Sequence, residues 1–143
     1  RLPPGRLAPS RPAGPRCPFT AMKAIVTDDS KATRMILSRL LRELGFEVKQ
    51  AKDGPALLEL LTEAVCDLCL VDWNMPGMNG TQVIRTLQAH PDWQKIPAVI
   101  VTDETQRDRI ASALEAGAIG YLPKPFKQGD LQDILAEAGL ALP

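Results

Sequence analysis

The segment "VDWNMPGMNG" (residues 71–80) joins an apolar run to a loop rich in Asn, Pro and Gly. The residues just before the loop, 68–71, have the aliphatic composition of a buried strand, and this run stops at one carboxylate, Asp72. Asn, Pro and Gly restrict or select particular turn conformations. A strand that ends on a charge before such a loop indicates a side chain held in a fixed place for a chemical purpose.

Strand-like and helix-like stretches alternate on both sides of this segment. The helix-like stretches place apolar residues at the spacing of one buried face, and residues that favour helix ends, such as Ser30, Gly45 and Asp53, stand at their limits. The predicted strands are 23–28, 46–50, 67–72, 98–102 and 119–122. The predicted helices follow Ser30 and Asp53 (the latter with a face of Leu57, Leu60, Leu61 and Ala64), cover 79–89 and about 105–116, and finish with a face of Leu131, Ile134, Leu135 and Ala138.

Five strand–helix units in series predict an α/β fold with a parallel sheet, helices on both faces and right-handed crossovers. The first, third and fourth strands are nearly unbroken apolar runs, as central strands covered on both faces must be. The second strand, "FEVKQ" (46–50), alternates apolar and polar residues, as a strand at a sheet edge does. We therefore predict a flavodoxin-like doubly wound sheet with the strand order 2-1-3-4-5.

Polar side chains follow the central strands of this predicted sheet. Asp28 and Asp29 end the first strand, Asp72 the third and Thr102 the fourth, and Lys124 follows the fifth. In a doubly wound sheet, functional groups gather in the crevice at the carboxyl ends of the strands. We therefore expect these five residues to share one site.

The charges of that site favour a metal ion. Two carboxylates about 5 Å apart repel each other by roughly 3 kcal/mol at an effective dielectric constant near 20, and Lys124 cancels only one of three negative charges. Oxygen ligands with this charge select a hard divalent ion, Mg²⁺ or Mn²⁺. The sequence has no P-loop lysine motif or Gly-rich nucleotide loop. The site is therefore predicted to accept a phosphoryl group on an Asp side chain from another molecule.

These motifs resemble the receiver domain of two-component response regulators. The acidic pair Asp28–Asp29, "DWNMPGMNG" (72–80), Thr102 and "YLPKPF" (121–126) fall in the order and spacing of that family. The resemblance covers essentially all of residues 22–139, and the loop after Asp72 is most similar to that of stand-alone, chemotaxis-type (CheY-like) regulators.

The resemblance implies a set of metal ligands around a phosphate acceptor. Asp72 would be the phospho-accepting aspartate. Asp29 and Asp72 would bind Mg²⁺ directly, Asp28 would bind it through water, and the backbone carbonyl of Asn74 would complete the ligands that the protein supplies.

The resemblance also implies a conformational switch. Lys124 would contact the phosphoryl group, Thr102 would move to hydrogen-bond it, and Tyr121 would turn inward behind Thr102. A cis peptide bond is implied between Lys124 and Pro125.

The implied function is that of a single-domain, cytoplasmic response regulator in a phosphorelay. A sensor histidine kinase or phosphotransfer protein would transfer a phosphoryl group to Asp72, and the fourth helix, fifth strand and fifth helix would then bind a downstream protein effector. The chain would catalyse only its own phosphorylation and dephosphorylation. Only "ALP" (141–143) follows the last helix, so we expect neither a DNA-binding output domain nor membrane contact.

One departure from the family pattern leaves alternatives open. Receivers usually carry a small residue directly after the switch Thr or Ser, and this chain has Asp103 there. If its carboxylate faces the site, Asp103 weakens phosphorylation, and the domain could instead be a non-phosphorylated pseudo-receiver adaptor. A phosphatase that uses Asp72 as a nucleophile would typically need a second acid two residues later, which Asn74 cannot supply. Glu104 and Asn74 occupy positions that influence phosphoaspartate hydrolysis in this family.

The amino-terminal residues differ in composition from the rest. The chain has 143 residues, 45% of them hydrophobic and 24% charged, which is ordinary for a soluble globular protein. Residues 1–21 hold four Arg, no acid and six of the 13 Pro residues, a composition that blocks helix and sheet. They are either a basic arm or not part of the working protein, with Met22 as the natural start. We exclude them and assign 22–143 to the receiver domain.

Three cysteines complete the chemical groups: Cys17, and Cys66 and Cys69 in a C-D-L-C motif. Residues three apart on a strand face opposite sides of the sheet, so the two thiols of the motif are predicted to diverge. A zinc site needs about four ligands, and the sequence offers no second Cys pair. We therefore expect apolar filler residues and no disulfide.

Overall fold

A computed structural model describes residues 22–103, 105–124, 126–137 and 139 of the chain. The predictions for residues 1–21, Glu104, Pro125 and Ala138 fall outside the described residues. Among the helices that are described, none is both long and apolar enough to traverse a bilayer.

Strands and helices alternate along the described chain, as predicted, with bounds that differ by a few residues. The strands are β1 Lys23–Thr27, β2 Glu47–Ala51, β3 Leu68–Asp72, β4 Ala98–Asp103 and β5 Gly120–Lys124. The helices are α1 Lys31–Glu43, α2 Gly54–Glu63, α3 Gly80–Ala89, α4 Arg107–Ala116 and α5 Gln128–Glu137.

The five strands form one parallel sheet in the order β2-β1-β3-β4-β5. This order confirms the predicted flavodoxin-like topology. Thr27 pairs with Val71, and Asp72 pairs with Val101 one strand further on. The last pair of β4 and β5 is Asp103 and Lys124. This register brings the carboxyl ends of the central strands to one edge of the sheet.

Alternate residues of the strands build two cores, one on each face of the sheet. Ile25, Val71 and Ile100 pack on one face with apolar residues of α2, α3 and α4. Val26 and Leu70 pack on the other face with apolar residues of α1 and α5. Both faces of the central strands are therefore covered, which explains their unbroken apolar sequence.

The helix ends follow the predicted residues, with one correction. The Ser30 side chain accepts a hydrogen bond from the Thr33 N–H, and Gly45 has a φ of 98° just beyond α1. That left-handed conformation favours glycine and ends the helix. The Ala64 prediction was wrong, because α2 stops at Glu63 and Ala64 is extended and exposed.

The predicted divergence of the two thiols of the C-D-L-C motif was also wrong. Cys66 lies in the connection before β3, which begins at Leu68, so the alternation of strand side chains does not govern it. The Sγ atoms of Cys66 and Cys69 are 3.4 Å apart. The two cysteines of the motif are therefore free thiols in contact with each other.

Candidate functional site

The start of α3 is pressed against the end of β3. Gly80, the first residue of α3, donates its N–H to the Trp73 carbonyl at 2.9 Å. A Cβ atom at Gly80 would overlap the Ile100 side chain and would lie 2.8 Å from the Trp73 Cα. Only glycine permits this approach, and it fixes the position of Asp72 at the strand end.

The loop between β3 and α3 is held at several points. Met75 is buried in the core, and Gly77 adopts a φ of 82°. Asn79 and Gln82 each bond the other's backbone N–H at 2.9 Å, which forms a capping box at the start of α3. The loop therefore has little freedom to move relative to the strand it follows.

Three carboxylates converge beside this loop. Asp28, Asp29 and Asp72 each offer one oxygen, and these oxygens lie within 4.8 Å of one another. Asp28 and Asp72 are 1% and 4% exposed, whereas Asp29 is open to solvent. The Ser30 N–H donates to Asp28 Oδ1 at 2.8 Å. The structure thus brings together the three predicted acids.

Lys124 at the end of β5 forms ion pairs with two carboxylates of this cluster. Its Nζ lies 3.1 Å from Asp72 Oδ1 and 3.6 Å from Asp28 Oδ2. One ammonium cannot neutralise three carboxylates, so the cluster retains a formal charge of about −2 when all of its groups are ionised.

The pKa values of the two buried acids reflect this excess charge. Burial raises the pKa of Asp72 to about 6, and the negative charge of Asp28 adds to the effect, while Lys124 and a backbone hydrogen bond from Asn74 oppose it. Burial likewise raises the pKa of Asp28, against the hydrogen bond from the Ser30 backbone. The folded protein therefore holds its carboxylates in a state that a further cation would stabilise.

The donor atoms fit a hard divalent cation. Asp28 Oδ2 is buried and accepts no hydrogen bond from the described residues. The three available ligand atoms are carboxylate oxygens, which Mg²⁺ and Mn²⁺ prefer. Asp28, Asp29 and Asp72 are thus a suitable set for the ion that the sequence predicted.

The predicted switch residues lie on β4, which pairs with β3, and on β5, the next strand of the sheet. Thr102 is buried near the end of β4, directly after Val101, the register partner of Asp72. Tyr121 is half-buried on β5 and packs against the core of the α2, α3 and α4 face. Asn74 is exposed at the start of the loop. Thr102 and Asn74 therefore lie at the carboxyl ends of β4 and β3, whereas Tyr121 pairs with Ile100, three residues before Lys124 on β5.

Asp103 does not join the acidic cluster. Its Oδ1 accepts hydrogen bonds from the Thr105 N–H and hydroxyl, each at 2.8 Å, and these bonds lower its pKa. The side chain is exposed. The Asp103 carboxylate therefore does not take a position in which it would block Asp72. This removes the reason to favour a pseudo-receiver adaptor.

One contact near the site was not foreseen from the sequence. The guanidinium carbon of Arg109, on α4, lies 4.2 Å from the centre of the Trp73 ring. The Trp73 indole N–H also donates to the Thr81 hydroxyl at 2.9 Å. No sequence signal marks such a pair, because tertiary packing alone brings α4 to the residue that follows Asp72.

The chain is similar in sequence to bacterial chemotaxis regulators. It is 36% identical over 115 residues to the chemotaxis protein CheY-3 of Vibrio cholerae, an alignment that covers 80% of this chain and 88% of the relative. It is 41% identical over 106 residues to the chemotaxis protein CheY of Pseudomonas aeruginosa, with 73% and 86% of the two chains covered.

The solved structures and the family model agree with this similarity. The chemotaxis response regulator CheY4 of Vibrio cholerae superposes with a TM-score of 0.77 at 30% identity, over 83% of this chain and 99% of that one. Residues 24–136 match the family model of the response regulator receiver domain. Given also a parallel sheet with three acids and a lysine at its carboxyl edge, the chain belongs to the response regulator receiver domain family.

Proposed function

We propose that Asp72 accepts a phosphoryl group from the phosphohistidine of a sensor histidine kinase or phosphotransfer protein. The supporting observation is the convergence of three carboxylate oxygens within 4.8 Å of one another, with the Lys124 ammonium 3.1 Å from Asp72. An Asp72 oxygen attacks phosphorus, the bond from phosphorus to the histidine nitrogen breaks, and the imidazole leaves with that electron pair. The product is an acyl phosphate on residue 72.

The acids would share this work with Mg²⁺. Asp29 and Asp72 would hold the ion directly, Asp28 through water, and Asn74 through its backbone carbonyl. When bound, the ion neutralises phosphoryl oxygens as their charge develops. Lys124 contributes a second positive charge beside Asp72, and burial of Asp28 and Asp72 strengthens these interactions by excluding water.

The acyl phosphate would then act as a switch. Thr102 would hydrogen-bond the phosphoryl group, and Tyr121 would turn inward behind it. The switch shifts an existing equilibrium of the surface formed by α4, β5 and α5, to which a downstream protein binds. The relatives at 36% and 41% identity are chemotaxis proteins, which supports an output through protein contact in residues 22–143.

Incubation of the full chain with Mg²⁺ and acetyl phosphate, followed by intact mass, tests this function. One added phosphoryl group, stable in acid and labile in base, is expected in the wild type and lost in Asp72→Asn. Asp133→Asn, which removes an exposed carboxylate from α5, is the matched control and should be modified like the wild type. Phosphorylation that persists in Asp72→Asn, or no phosphorylation with any donor, would contradict the proposal.

A further inference from the structure

A pair of thiols, Cys66 and Cys69, lies at the amino end of β3, away from the acids. The Sγ atoms of Cys66 and Cys69 are 3.4 Å apart, and the Cys66 thiol also donates to the Leu68 carbonyl at 3.3 Å. A disulfide requires a sulfur–sulfur distance of about 2.0 Å. The two thiols therefore need to approach by only about 1.4 Å to become bonded.

The two sulfurs differ in freedom and in access. Cys69 is fully buried within β3, where its N–H donates to the Pro97 carbonyl at 2.9 Å. Cys66 lies in the irregular connection after α2, is partly exposed, and lines a surface groove of about 650 Å³. The connection can adjust while the strand stays fixed, so Cys66 is the thiol that can meet a reagent and move.

The electrostatics assign the same roles. The thiol–thiol hydrogen bond lowers the pKa of Cys66, and the same hydrogen bond together with burial raises the pKa of Cys69 well above its usual range. The thiolate is the nucleophile in cysteine oxidation. Cys66 is therefore the attacking sulfur, and Cys69 is the resolving one.

The groove beside Cys66 has a charge that suits a small anionic or neutral reagent. Three basic residues, Lys23, Arg42 and Lys49, line it together with one acid, Glu47. Positive charge in general stabilises a developing thiolate, whereas the neighbouring Asp67 carboxylate opposes it at Cys66. A small oxidant can therefore reach Cys66 from solvent without any unfolding of the sheet.

We propose that Cys66 and Cys69 form a reversible disulfide when hydrogen peroxide oxidises the protein. The Cys66 thiolate attacks one peroxide oxygen, the oxygen–oxygen bond breaks, and the departing oxygen leaves as water after taking up a proton. The sulfenic acid on Cys66 is then attacked by the Cys69 sulfur, which loses its proton, and a second water leaves. Two electrons pass from the two thiols to the peroxide.

Treatment of the full chain with hydrogen peroxide tests the pair, in a Cys17→Ser background that leaves only these two thiols. The expected product has lost about 2 Da and both titratable thiols, and dithiothreitol restores them. Proteolysis without reductant should yield a fragment in which residues 66 and 69 are linked. Two thiols that survive peroxide, a stable sulfinic acid on Cys66, or a disulfide between two chains would each overturn the proposal.

Two further variants in that background separate the roles of the sulfurs. Cys69→Ser should stop at a sulfenic acid on Cys66 that a dimedone probe captures, and Cys66→Ser should lose both the disulfide and the captured adduct. Asp72→Asn should still form the disulfide, because its site is at the other end of β3. A captured adduct in Cys66→Ser, or a disulfide that requires Asp72, would contradict the assignment.

Discussion

The two ends of β3 carry different chemistry although the strand has only five residues. At its carboxyl end, Asp72 meets two further carboxylates and one ammonium. At its amino end, Cys69 meets a second thiol, that of Cys66. The first end concentrates like charges that oppose folding, whereas the second joins two thiols. The comparison shows that one rigid strand can hold both a cluster of like charges, which opposes folding, and a pair of thiols.

The difference follows from what each end of a parallel strand meets. Carboxyl ends lie together at one edge of the sheet, so residues that follow neighbouring strands are forced close to one another. The amino end of β3 receives an incoming connection from α2, which leaves the Cys66 backbone free of strand geometry. The fold therefore forces like charges together at the carboxyl end of β3, whereas the thiol contact at the amino end depends on the local conformation of the connection.

The largest expected effect concerns the rigidity of the carboxyl end. Gly80→Ala should destabilise the protein by about 2–3 kcal/mol, because the added methyl group meets Ile100 and the Trp73 backbone. Urea denaturation gives the free energy of unfolding. Gly129→Ala is the control, since a Cβ there meets nothing within 4 Å, and its effect should stay within about 1 kcal/mol. Equal effects of the two substitutions would show that β3 and α3 are not tightly packed.

The second expected effect concerns the charge at the carboxyl end. Asp72→Asn should stabilise the metal-free protein at pH 7 by about 2 kcal/mol, because it removes a buried charge beside Asp28. The pKa of Asp72 is about 6 in the folded protein against an ordinary 3.8. The wild type therefore loses stability as pH rises from about 4 to 6. The advantage of the variant should be complete above that range and vanish below it.

The effect of Mg²⁺ on stability complements the measurement on the metal-free protein. Mg²⁺ should raise the unfolding temperature of the wild type, since an ion that binds only the folded state stabilises it by mass action. The same addition should leave Asp72→Asn nearly unchanged, while Asp133→Asn should respond like the wild type. If Asp72→Asn is less stable than the wild type without metal, the carboxylates do not repel one another as described.

A smaller effect is expected at the contact between α4 and the loop. Arg109→Gln removes the cation over the Trp73 ring and should cost about 0.5–1 kcal/mol. The free energy of unfolding measures it. Arg107→Gln, an exposed position on the same helix, should change stability by less than about 0.5 kcal/mol. Identical values for the two variants would remove Arg109 from the description of the site.

The smallest effect is expected at Asp103. Asp103→Ala should accept phosphate from acetyl phosphate at the rate of the wild type, because the Asp103 carboxylate bonds Thr105 and not the acidic cluster. The time course of the mass increase measures the rate. A clearly faster reaction in the variant would show that Asp103 faces the acceptor during phosphorylation.

The sequence predicted the fold and the acidic edge because both depend on regular geometry. Unbroken apolar runs identify central parallel strands, and the alternating second strand identifies an edge. Once that order is known, Asp28, Asp72 and Lys124 must share an edge of the sheet, as they do.

The sequence did not predict the features that depend on irregular connections. The thiol pair was missed because the alternation of strand side chains was applied to Cys66, which lies outside both the predicted strand 67–72 and the observed β3. The orientation of Asp103 depends on two hydrogen bonds to Thr105, and Arg109 reaches Trp73 only through packing of α4. Local spacing contains no information on either contact.

The fixed position of Asp72 has a consequence for how a signal would be transmitted from it. Asp28 and Asp72 are buried, and Lys124 is the last residue of β5, so we expect their backbone positions to change little. Any displacement must occur in parts that the sheet does not hold, and Arg109 rests α4 directly on the ring that follows the acceptor. We therefore expect α4, and not the strand ends, to move if Asp72 is phosphorylated as proposed.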